Sequence, residues 1–311
     1  MADILDLIGH TPMVELPHLS PKPGVRIFAK LEGQNPSGSI KDRIVLQMLR
    51  AARAEGRLQP GMPLVEASTG NTGIALAMIG RRLGHPVKVF VPESVFPEIG
   101  VLLHVYGAEV IWTPAAEGVR GAMEAAHRYD IEDKHCWMLD QFCNQENVRA
   151  HYETTGPEIL EDLPDVDVLV AGLGTGGTIM GTGMRLKEAR PHVKLVGVEP
   201  HPGSQVQGLK SLDDGYAPPI LDPHLLDGKI LIRTPHAFEH AVRIMNAEGI
   251  FPGLSSGAVL HGALRFARRL EKANIVCIFA DSGWKYYGTQ IWDAARSDHP
   301  IDEDEEDIIW W

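Results

Sequence analysis

Short apolar runs alternate with helix-like segments along most of this chain, and that alternation restricts its fold more than any other feature. Several runs are apolar at successive positions, as expected of strands covered on both faces in a parallel sheet. The strand candidates are VRIFAKL (25–31), MPLVEA (62–67), PVKVFV (86–91), AEVIWT (108–113), VDVLVAG (166–172), VKLVGV (193–198) and NIVCIFA (274–280). The helix candidates between them are 40–55, 71–83, 94–106, 117–128, 145–161, 177–189, 235–248 and 256–271. Such alternation predicts an α/β protein with parallel sheets.

The strand candidates fall into two groups along the chain. One group covers 62–113, and the other covers 166–198 together with 274–280, which predicts two sheets. The length of 311 residues suits about two domains. Residues 199–234 are rich in Pro, Gly and Asp, and we expect a long ordered excursion there.

Composition and charge exclude several classes of protein. The net charge of −12 argues against nucleic-acid binding, which needs clustered Lys and Arg. No run approaches the ~18–20 apolar residues that span a membrane, so we expect no membrane segment. The acidic start lacks the basic region of a secretory signal, and three cysteines are too few for a disulfide framework. A cytoplasmic location is therefore expected, and no metal-ligand spacing is seen.

A glycine-rich turn, GLGTGG at 172–177, follows one strand candidate and opens a helix. Backbone N–H groups at such a turn converge on an anion at the positive end of the helix. Gly172, Gly174 and Gly177 also satisfy G-x-G-x-x-G, and Glu199 ends the next strand where a dinucleotide fold keeps its ribose-binding acid. Taken alone, this turn predicts a phosphate cradle and leaves its ligand open, with a dinucleotide as one alternative.

A second turn precedes a lysine that suits nucleophilic chemistry. Residues 30–43 read KLEGQNPSGSIKDR, and Ser39 is a plausible N-cap for a helix that starts near Ile40. Lys41 then lies in the first turn, where the helix dipole lowers the pKa of its amine and makes it a better nucleophile. The alternative is an ordinary surface lysine on an amphipathic helix.

Two further turns could bind a ligand. EASTGNTG at 66–73 brings small hydroxylated residues and Asn71 to the start of a helix, where N–H groups and hydroxyls can hold a carboxylate. GLSSGA at 253–258 places Ser255 and Ser256 at another helix start, where either could cap the helix or face a ligand.

Together these segments resemble the fold-type II pyridoxal 5′-phosphate enzymes, specifically the cysteine synthase (O-acetylserine sulfhydrylase) family. The resemblance runs from Thr11 to about Tyr287. The family motifs occur in order as NPSGSIKDR, STGNTG, HYETTGPEI, GLGTGGT, GVEP, EGIFPGLSSGA and DSGWKYYGT. The dinucleotide alternative predicts nothing at Lys41 or Asn71, so the ordered set favours the cysteine synthases.

The resemblance implies the roles of the site residues. Lys41 corresponds to the lysine that forms the internal aldimine with pyridoxal 5′-phosphate, Asn71 binds the cofactor's 3′-oxygen, and Ser255 faces the pyridine nitrogen. The phosphate loop is implied to be Gly174, Thr175, Gly176, Gly177 and Thr178. The substrate carboxylate is implied to bind Ser68, Thr69, Gly70, Thr72 and Gln141.

The reaction implied by the family is β-replacement on an O-activated L-serine. A leaving group departs to give an aminoacrylate, and a sulfur nucleophile adds to form L-cysteine. VQGLKSLDDGYAPPILDP and ADSGWKYY resemble the cysteine synthase B branch, some members of which accept O-phosphoserine. Lys210 lies where those relatives often carry arginine, and it is the candidate for contacting the substrate's leaving group; the alternative is a solvated loop lysine. Sulfide, thiosulfate or a thiocarboxylated carrier protein is the implied sulfur source, and a homodimer the implied assembly.

Two other functions stay open on the same scaffold, namely cystathionine β-synthase and serine/threonine dehydratase. A non-catalytic paralogue that acts as a binding partner is a further alternative, against which the presence of Lys41 and Asn71 argues. The resemblance implies two parallel-sheet α/β domains with the cofactor between them, a smaller one at 41–145 and a larger one at 1–40 and 146–296. Residues 297–311 form an acidic tail that carries DEDEED and ends in Ile308, Ile309, Trp310 and Trp311. We hypothesise that this apolar tip folds over the active-site mouth.

Overall fold

The computed structural model describes residues 3–133, 135–214, 217–287 and 292, and the backbone of residues 308–309. The strands are β1 Met13–Glu15, β2 Val25–Leu31, β3 Leu64–Ala67, β4 Val87–Pro92, β5 Glu109–Thr113, β6 Trp137–Met138, β7 Val168–Gly172, β8 Lys194–Pro200, β9 Gly228–Ile232, β10 Ala273–Phe279 and β11 Ile308–Ile309. The α-helices are α1 Lys41–Ala54, α2 Asn71–Leu83, α3 Pro97–Val105, α4 Gly118–Glu132, α5 Glu146–Ala150, α6 Gly156–Asp162, α7 Gly177–Ala189, α8 Thr234–Glu248 and α9 Leu254–Ala267.

These strands form two sheets. Within the described part of the chain, the larger sheet has seven strands in the order β1-β2-β10-β7-β8-β9-β11, and the smaller has four in the order β5-β4-β3-β6. All pairs of the smaller sheet and the inner pairs of the larger one are parallel, whereas β1 and β11 pair antiparallel at the two edges. The predicted α/β class with two parallel sheets is confirmed.

The apolar runs are explained by burial on both faces of the large sheet. Along β10, Ile275 and Cys277 join a cluster with α8 and α9 on one face. Val276 and Ile278 join a second cluster with α6 and α7 on the opposite face. Because side chains alternate between faces, a strand covered on both sides needs apolar residues at every position. A third cluster packs α1 and α2 against the smaller sheet.

Several elements differ from the sequence prediction. The excursion predicted at 199–234 contains β9, a fully buried strand at Gly228–Ile232. The helix predicted at 145–161 is divided into α5, a π-helical turn at His151–Thr155 and α6. The helix predicted from about Ile40 begins at Lys41, and the Ser39 hydroxyl accepts from Lys41 N at 3.3 Å.

Two further expectations concern the domain limits and the C-terminal tail. The domain limits predicted at 1–40, 41–145 and 146–296 stay a prediction, although the two sheets follow the same division of the strands. Ile308 and Ile309 pair with β9 at the outer edge of the large sheet, which gives the proposed lid no support at these two residues. The acidic run 302–307 and both terminal tryptophans lie outside the described residues. Among the residues described, no helix is long and apolar enough to cross a membrane.

Candidate active site

A cleft of about 380 Å³ lies between the two sheets. It is bounded by residues at or just after the carboxyl ends of parallel strands, including Ala67 after β3, Gly172 after β7 and Ala280 after β10. This edge is where open parallel sheets bind their ligands, because strand-to-helix turns and helix N-termini converge there. The sequence motifs at 66–73, 172–177 and 253–258 therefore meet in one place.

Lys41 lines this cleft at the first residue of α1. Burial lowers the pKa of its amine to about 8, while the negative charge of Asp281 acts in the opposite direction. Desolvation disfavours the charged ammonium, so a useful fraction of the amine is neutral near neutral pH. This agrees with the expected nucleophile, although burial rather than the helix dipole is the main cause.

The residues after Lys41 anchor it to the larger sheet's side of the molecule. Asp42 accepts from the backbone N–H of Ser37 at 2.7 Å, and also from the Ser37 hydroxyl. The Arg43 guanidinium donates to both oxygens of Glu32, at 2.7 and 2.8 Å, and to both oxygens of Glu158, at 2.6 and 2.7 Å. Such bidentate pairs fix position as well as charge. The backbone that carries Lys41 is therefore held firmly.

The predicted phosphate loop forms the opposite wall of the cleft. Gly174, Thr175, Gly176 and Thr178 line it, and α7 begins immediately after Gly176, which has a φ of 86°. A Cβ on Gly174 would lie 2.6 Å from Gly208 O, and one on Gly176 would lie 2.8 Å from the Leu221 side chain. Side chains are thus excluded where backbone N–H groups must approach an anion at the helix N-terminus.

Two buried residues that sequence reasoning missed support this loop from below. Asn147 Nδ2 donates to Thr175 Oγ1 at 3.0 Å and to Gln141 O at 2.8 Å. His151 Nε2 lies 3.3 Å from Thr178 Oγ1. Burial, together with the charges of Lys41 and Arg43, lowers the pKa of His151 well below its usual value, so the ring is neutral. The π-helical turn at His151 is a common marker of functional sites, but it is visible only in the structure.

Gly177 belongs to the same loop but has a different role from its neighbours. It is not among the lining residues, and a Cβ on it would lie 1.9 Å from Asn147 Oδ1. Its small size therefore lets Asn147 reach the loop.

Asn71 and Ser255 both line the cleft, from helices that pack on different sheets. Asn71 begins α2, and its Nδ2 donates to Asp281 Oδ2 at 2.7 Å. Ser255 lies in the first turn of α9 and lines the cleft, whereas Ser256 is fully buried and does not. The choice between the two serines left by the sequence is thus made by the helix face.

The predicted substrate loop lies beside Lys41. Ser68, Thr69, Gly70, Thr72 and Gln141 all line the cleft. Thr72 Oγ1 donates to Gln141 Oε1 at 2.7 Å, which leaves the amide donors of Gln141 directed away from Thr72. The Ser68 hydroxyl accepts from Gly70 N at 3.1 Å and from Gly73 N at 3.0 Å, so it shapes the loop as well as facing the cleft.

Glu66 lies directly behind this loop and is missing from the sequence prediction. It accepts from Ala67 N at 2.9 Å and from Gln141 N at 3.3 Å. Burial raises the pKa of its carboxyl to about 8, with a smaller contribution in the same direction from Asp140. At neutral pH the group is therefore mostly protonated. Little negative charge then opposes a carboxylate bound at the loop.

The segment after β8 closes one side of the cleft. Lys210 lines it, with Nζ 5.3 Å from the centre of the Phe142 ring. Gln207 Nε2 donates to Thr69 O at 3.1 Å and so joins this segment to the substrate loop. Glu199, the acid of the dinucleotide alternative, is buried, and its Oε1 lies 2.6 Å from Lys229 Nζ in an ion pair. Its other oxygen, Oε2, accepts from Leu212 N at 3.0 Å. Glu199 is committed to that ion pair rather than to a ligand.

The chain is similar to known proteins over most of its length. Residues 4–281 match the family model of the pyridoxal-phosphate dependent enzymes. Cysteine synthase B of Pseudomonas aeruginosa is 38% identical over 291 residues, which cover 93% of this chain and 97% of that protein. Cysteine synthase B of Salmonella typhimurium is 40% identical over 285 residues, or 91% and 94% of the two chains. The crystal structure of cysteine synthase from Entamoeba histolytica superposes with a TM-score of 0.89 at 34% identity, covering 97% of this chain and 93% of that one.

Proposed function

Because the chain belongs to the pyridoxal-phosphate dependent enzymes, within their cysteine synthase branch, we propose that it forms L-cysteine by β-replacement on an O-activated L-serine. The predicted cofactor and enzyme class are confirmed by that membership. The single observation that carries the proposal is one cleft that joins a buried amine of lowered pKa, the glycine-rich turn at the start of α7 and the loop 68–72 at the start of α2.

The residues of the cleft fit pyridoxal 5′-phosphate. Lys41 offers an amine that can link to an aldehyde, and the Gly174–Thr178 turn at the start of α7 suits a phosphate because it combines glycines, whose backbone N–H groups an anion can approach, with the hydroxyls of Thr175 and Thr178. Asn71 and Ser255 supply neutral hydrogen-bonding groups for the ring's 3′-oxygen and nitrogen. When bound, the cofactor supplies an electron-withdrawing ring that makes the Cα proton of a linked amino acid acidic.

Lys41 is the proposed base as well as the attachment point. Once a substrate amine has replaced it, its own amine is free beside the substrate. With a pKa of about 8, that amine accepts a proton near neutral pH and holds it at Nζ. Asp42 and Arg43 keep the start of α1 in place while the Lys41 side chain moves.

The substrate carboxylate is proposed to bind at the loop 68–72 and Gln141. The start of α2 offers N–H groups and a positive dipole end, and Gln141 adds an amide donor. Protonated Glu66 leaves that position without a buried negative charge behind it. Lys210 is proposed to face the leaving group, and its position in the cleft supports this role.

Finer features of the proposal come from the family resemblance. We propose that either O-acetylserine or O-phosphoserine is the substrate and that sulfide, thiosulfate or a thiocarboxylated carrier protein supplies sulfur. A cytoplasmic homodimer is proposed in the same way. Sedimentation of the purified protein tests the dimer, and a monomer at micromolar concentration would contradict it.

The activity is tested by incubating the protein with pyridoxal phosphate, each activated serine and sulfide, and by measuring cysteine. Parallel assays for keto acid and, with homocysteine, for cystathionine separate the two alternatives on this scaffold. Lys41→Ala should abolish product, whereas Lys272→Ala, at an exposed lysine, should leave it unchanged. Keto acid or cystathionine as the main product would contradict the proposal.

A further inference from the structure

Lys285 lies just outside the cleft and holds the side chain of Asn71. It belongs to the 3-10 helix Gly283–Tyr286, which follows β10. Its Nζ donates to Asn71 Oδ1 at 2.7 Å. The bond therefore connects the loop after a central strand of the larger sheet to the first residue of α2, which packs on the smaller sheet.

Two neighbours determine which way round the Asn71 amide lies. An ammonium group carries only donors, and an ionised carboxylate carries only acceptors. Lys285 therefore selects the oxygen edge of the amide, and Asp281 Oδ2, at 2.7 Å, selects the nitrogen edge. Turning the amide over would set N–H groups against the ammonium and oxygen against the carboxylate. Both contacts thus favour one orientation. The nitrogen carries a second N–H beyond the one donated to Asp281, and its possible acceptors are the Tyr286 hydroxyl, which is also hydrogen-bonded to Asn71, and a ligand in the cleft.

We infer that Lys285 is a positioning residue, which fixes the Asn71 amide so that a donor rather than an acceptor is presented to the cofactor's 3′-oxygen. This inference rests on the proposed function and adds a residue to it. A hydrogen-bond donor favours the ionised form of that oxygen, whereas a carbonyl oxygen would repel it. Lys285 therefore acts on the cofactor's protonation through Asn71.

The surroundings of Lys285 suit this role. Burial lowers the pKa of its ammonium, while the negative charges of Asp281 and Asp42 act to keep it charged. The Tyr286 hydroxyl donates to Asp281 Oδ2 at 2.5 Å. It therefore fixes the position of the carboxylate that, together with Lys285, binds the Asn71 amide. The lysine stem crosses the turn before Lys41, where a Cβ on Gly38 would lie 3.0 Å from Lys285 Cε. Both the stem and the charge are thus held.

The test compares Lys285→Met, which keeps the stem but removes the donor and charge, with Lys285→Arg, which keeps both. Cofactor affinity of the apoprotein is measured by fluorescence titration. The ratio of visible to near-ultraviolet cofactor absorbance is followed against pH. Lys285→Met should weaken cofactor binding about tenfold, because the orienting hydrogen bond to a charged group is lost. It should also raise the near-ultraviolet fraction at each pH, and Lys285→Arg should restore both properties.

Lys229→Met is the matched control, because Lys229 is also a buried lysine but pairs with Glu199, and neither of these two residues lines the cleft. It should cost stability without changing the absorbance titration. An unchanged titration in Lys285→Met, or an equal defect in Lys285→Arg, would overturn the inference.

If Lys285→Met binds no cofactor, a second measurement on the apoprotein still tests the inference. The side-chain amide resonances of Asn71 in the ¹⁵N-labelled apoprotein should lose their wild-type positions, and unchanged resonances would overturn the inference. Wild-type protein that binds the cofactor but makes no cysteine would instead contradict the proposed function alone.

Discussion

Replacing Arg43 with methionine should destabilise the fold far more than removing an exposed arginine. Arg43 lies fully buried between two carboxylates, Glu32 and Glu158. In its absence Glu158 keeps Lys30, at 2.9 Å, whereas Glu32 keeps, among the described residues, only neutral donors from Thr11 and Asn35. The variant therefore leaves a buried carboxylate without a cation.

The size of the loss follows from that arrangement. Removing one partner of a buried ion pair lowers the free energy of unfolding by about 3–5 kcal/mol, because the remaining charge stays desolvated and has no opposite charge beside it. The exposed pair Arg120–Glu124, one helical turn apart, contributes only about 0.3–0.5 kcal/mol. With an m-value of about 3 kcal/mol/M, Arg43→Met should lower the urea midpoint by about 1–1.7 M. Arg120→Met should leave it nearly unchanged.

Urea unfolding followed by fluorescence and circular dichroism measures both variants. Adding Glu32→Gln to Arg43→Met should recover part of the lost free energy of unfolding, because the amide keeps hydrogen-bonding atoms but carries no charge. A loss for Arg43→Met of under 1 kcal/mol, equal to that of the exposed control, would refute the reasoning.

The pH dependence supplies an independent check. Burial alone would raise the pKa of Glu158, but the hydrogen bonds and charges of Arg43 and Lys30 outweigh it and lower the pKa from 4.5 to about 2. A lowered carboxyl pKa stabilises the fold fully above the unfolded value of 4.5, and that stabilisation is lost as pH falls toward 2. The difference in the free energy of unfolding between wild type and Arg43→Met should therefore become smaller below pH 4.5. A constant gap across that range would contradict the assignment.

Three other predictions concern the cleft and the tail. Gln141→Ala should weaken amino-acid binding by roughly 10–150-fold in spectral titrations while cofactor absorbance stays intact, because a hydrogen bond to a charged carboxylate is lost; loss of cofactor with substrate affinity retained would place the carboxylate elsewhere. Lys210→Ala should impair turnover of O-phosphoserine and spare neutral O-acetylserine in steady-state assays; equal effects on both would reject the leaving-group role. Deleting residues 307–311 should leave the reaction of the substrate-loaded enzyme with small thiols unchanged in stopped-flow absorbance, because Ile308 and Ile309 pair with β9 at the outer edge of the large sheet; a faster reaction would instead support the lid.

The fold was largely predictable because its strands are apolar in sequence. Strands such as β7 and β10 are buried on both faces, so they appear as continuous apolar runs. β9 was missed because Lys229 interrupts its short run. That lysine is tolerated only because Glu199, on the neighbouring strand, neutralises it. Such tertiary partners are not visible in local patterns.

The same contrast between local patterns and tertiary partners applies to the residues of the candidate site. The turn residues that line the cleft could be proposed from the sequence, because Gly, Ser, Thr and Asn in strand-to-helix turns carry recognisable chemistry. The residues that support them, Asn147, His151 and Lys285, were not identified. Each acts through a partner far away in sequence, and Lys285 reaches Asn71 across 214 positions. A histidine or lysine in a helix gives no sign of such a contact by itself.

The most direct test of the central claim is to locate the covalent attachment of the cofactor. Pyridoxal phosphate bound to the wild-type protein is fixed with borohydride, and the labelled peptide is identified by mass spectrometry. The label should lie on Lys41, the buried cleft lysine with a pKa of about 8, and should be absent from Lys41→Ala. Stoichiometric label on another lysine, such as Lys210 or Lys285, would contradict the account.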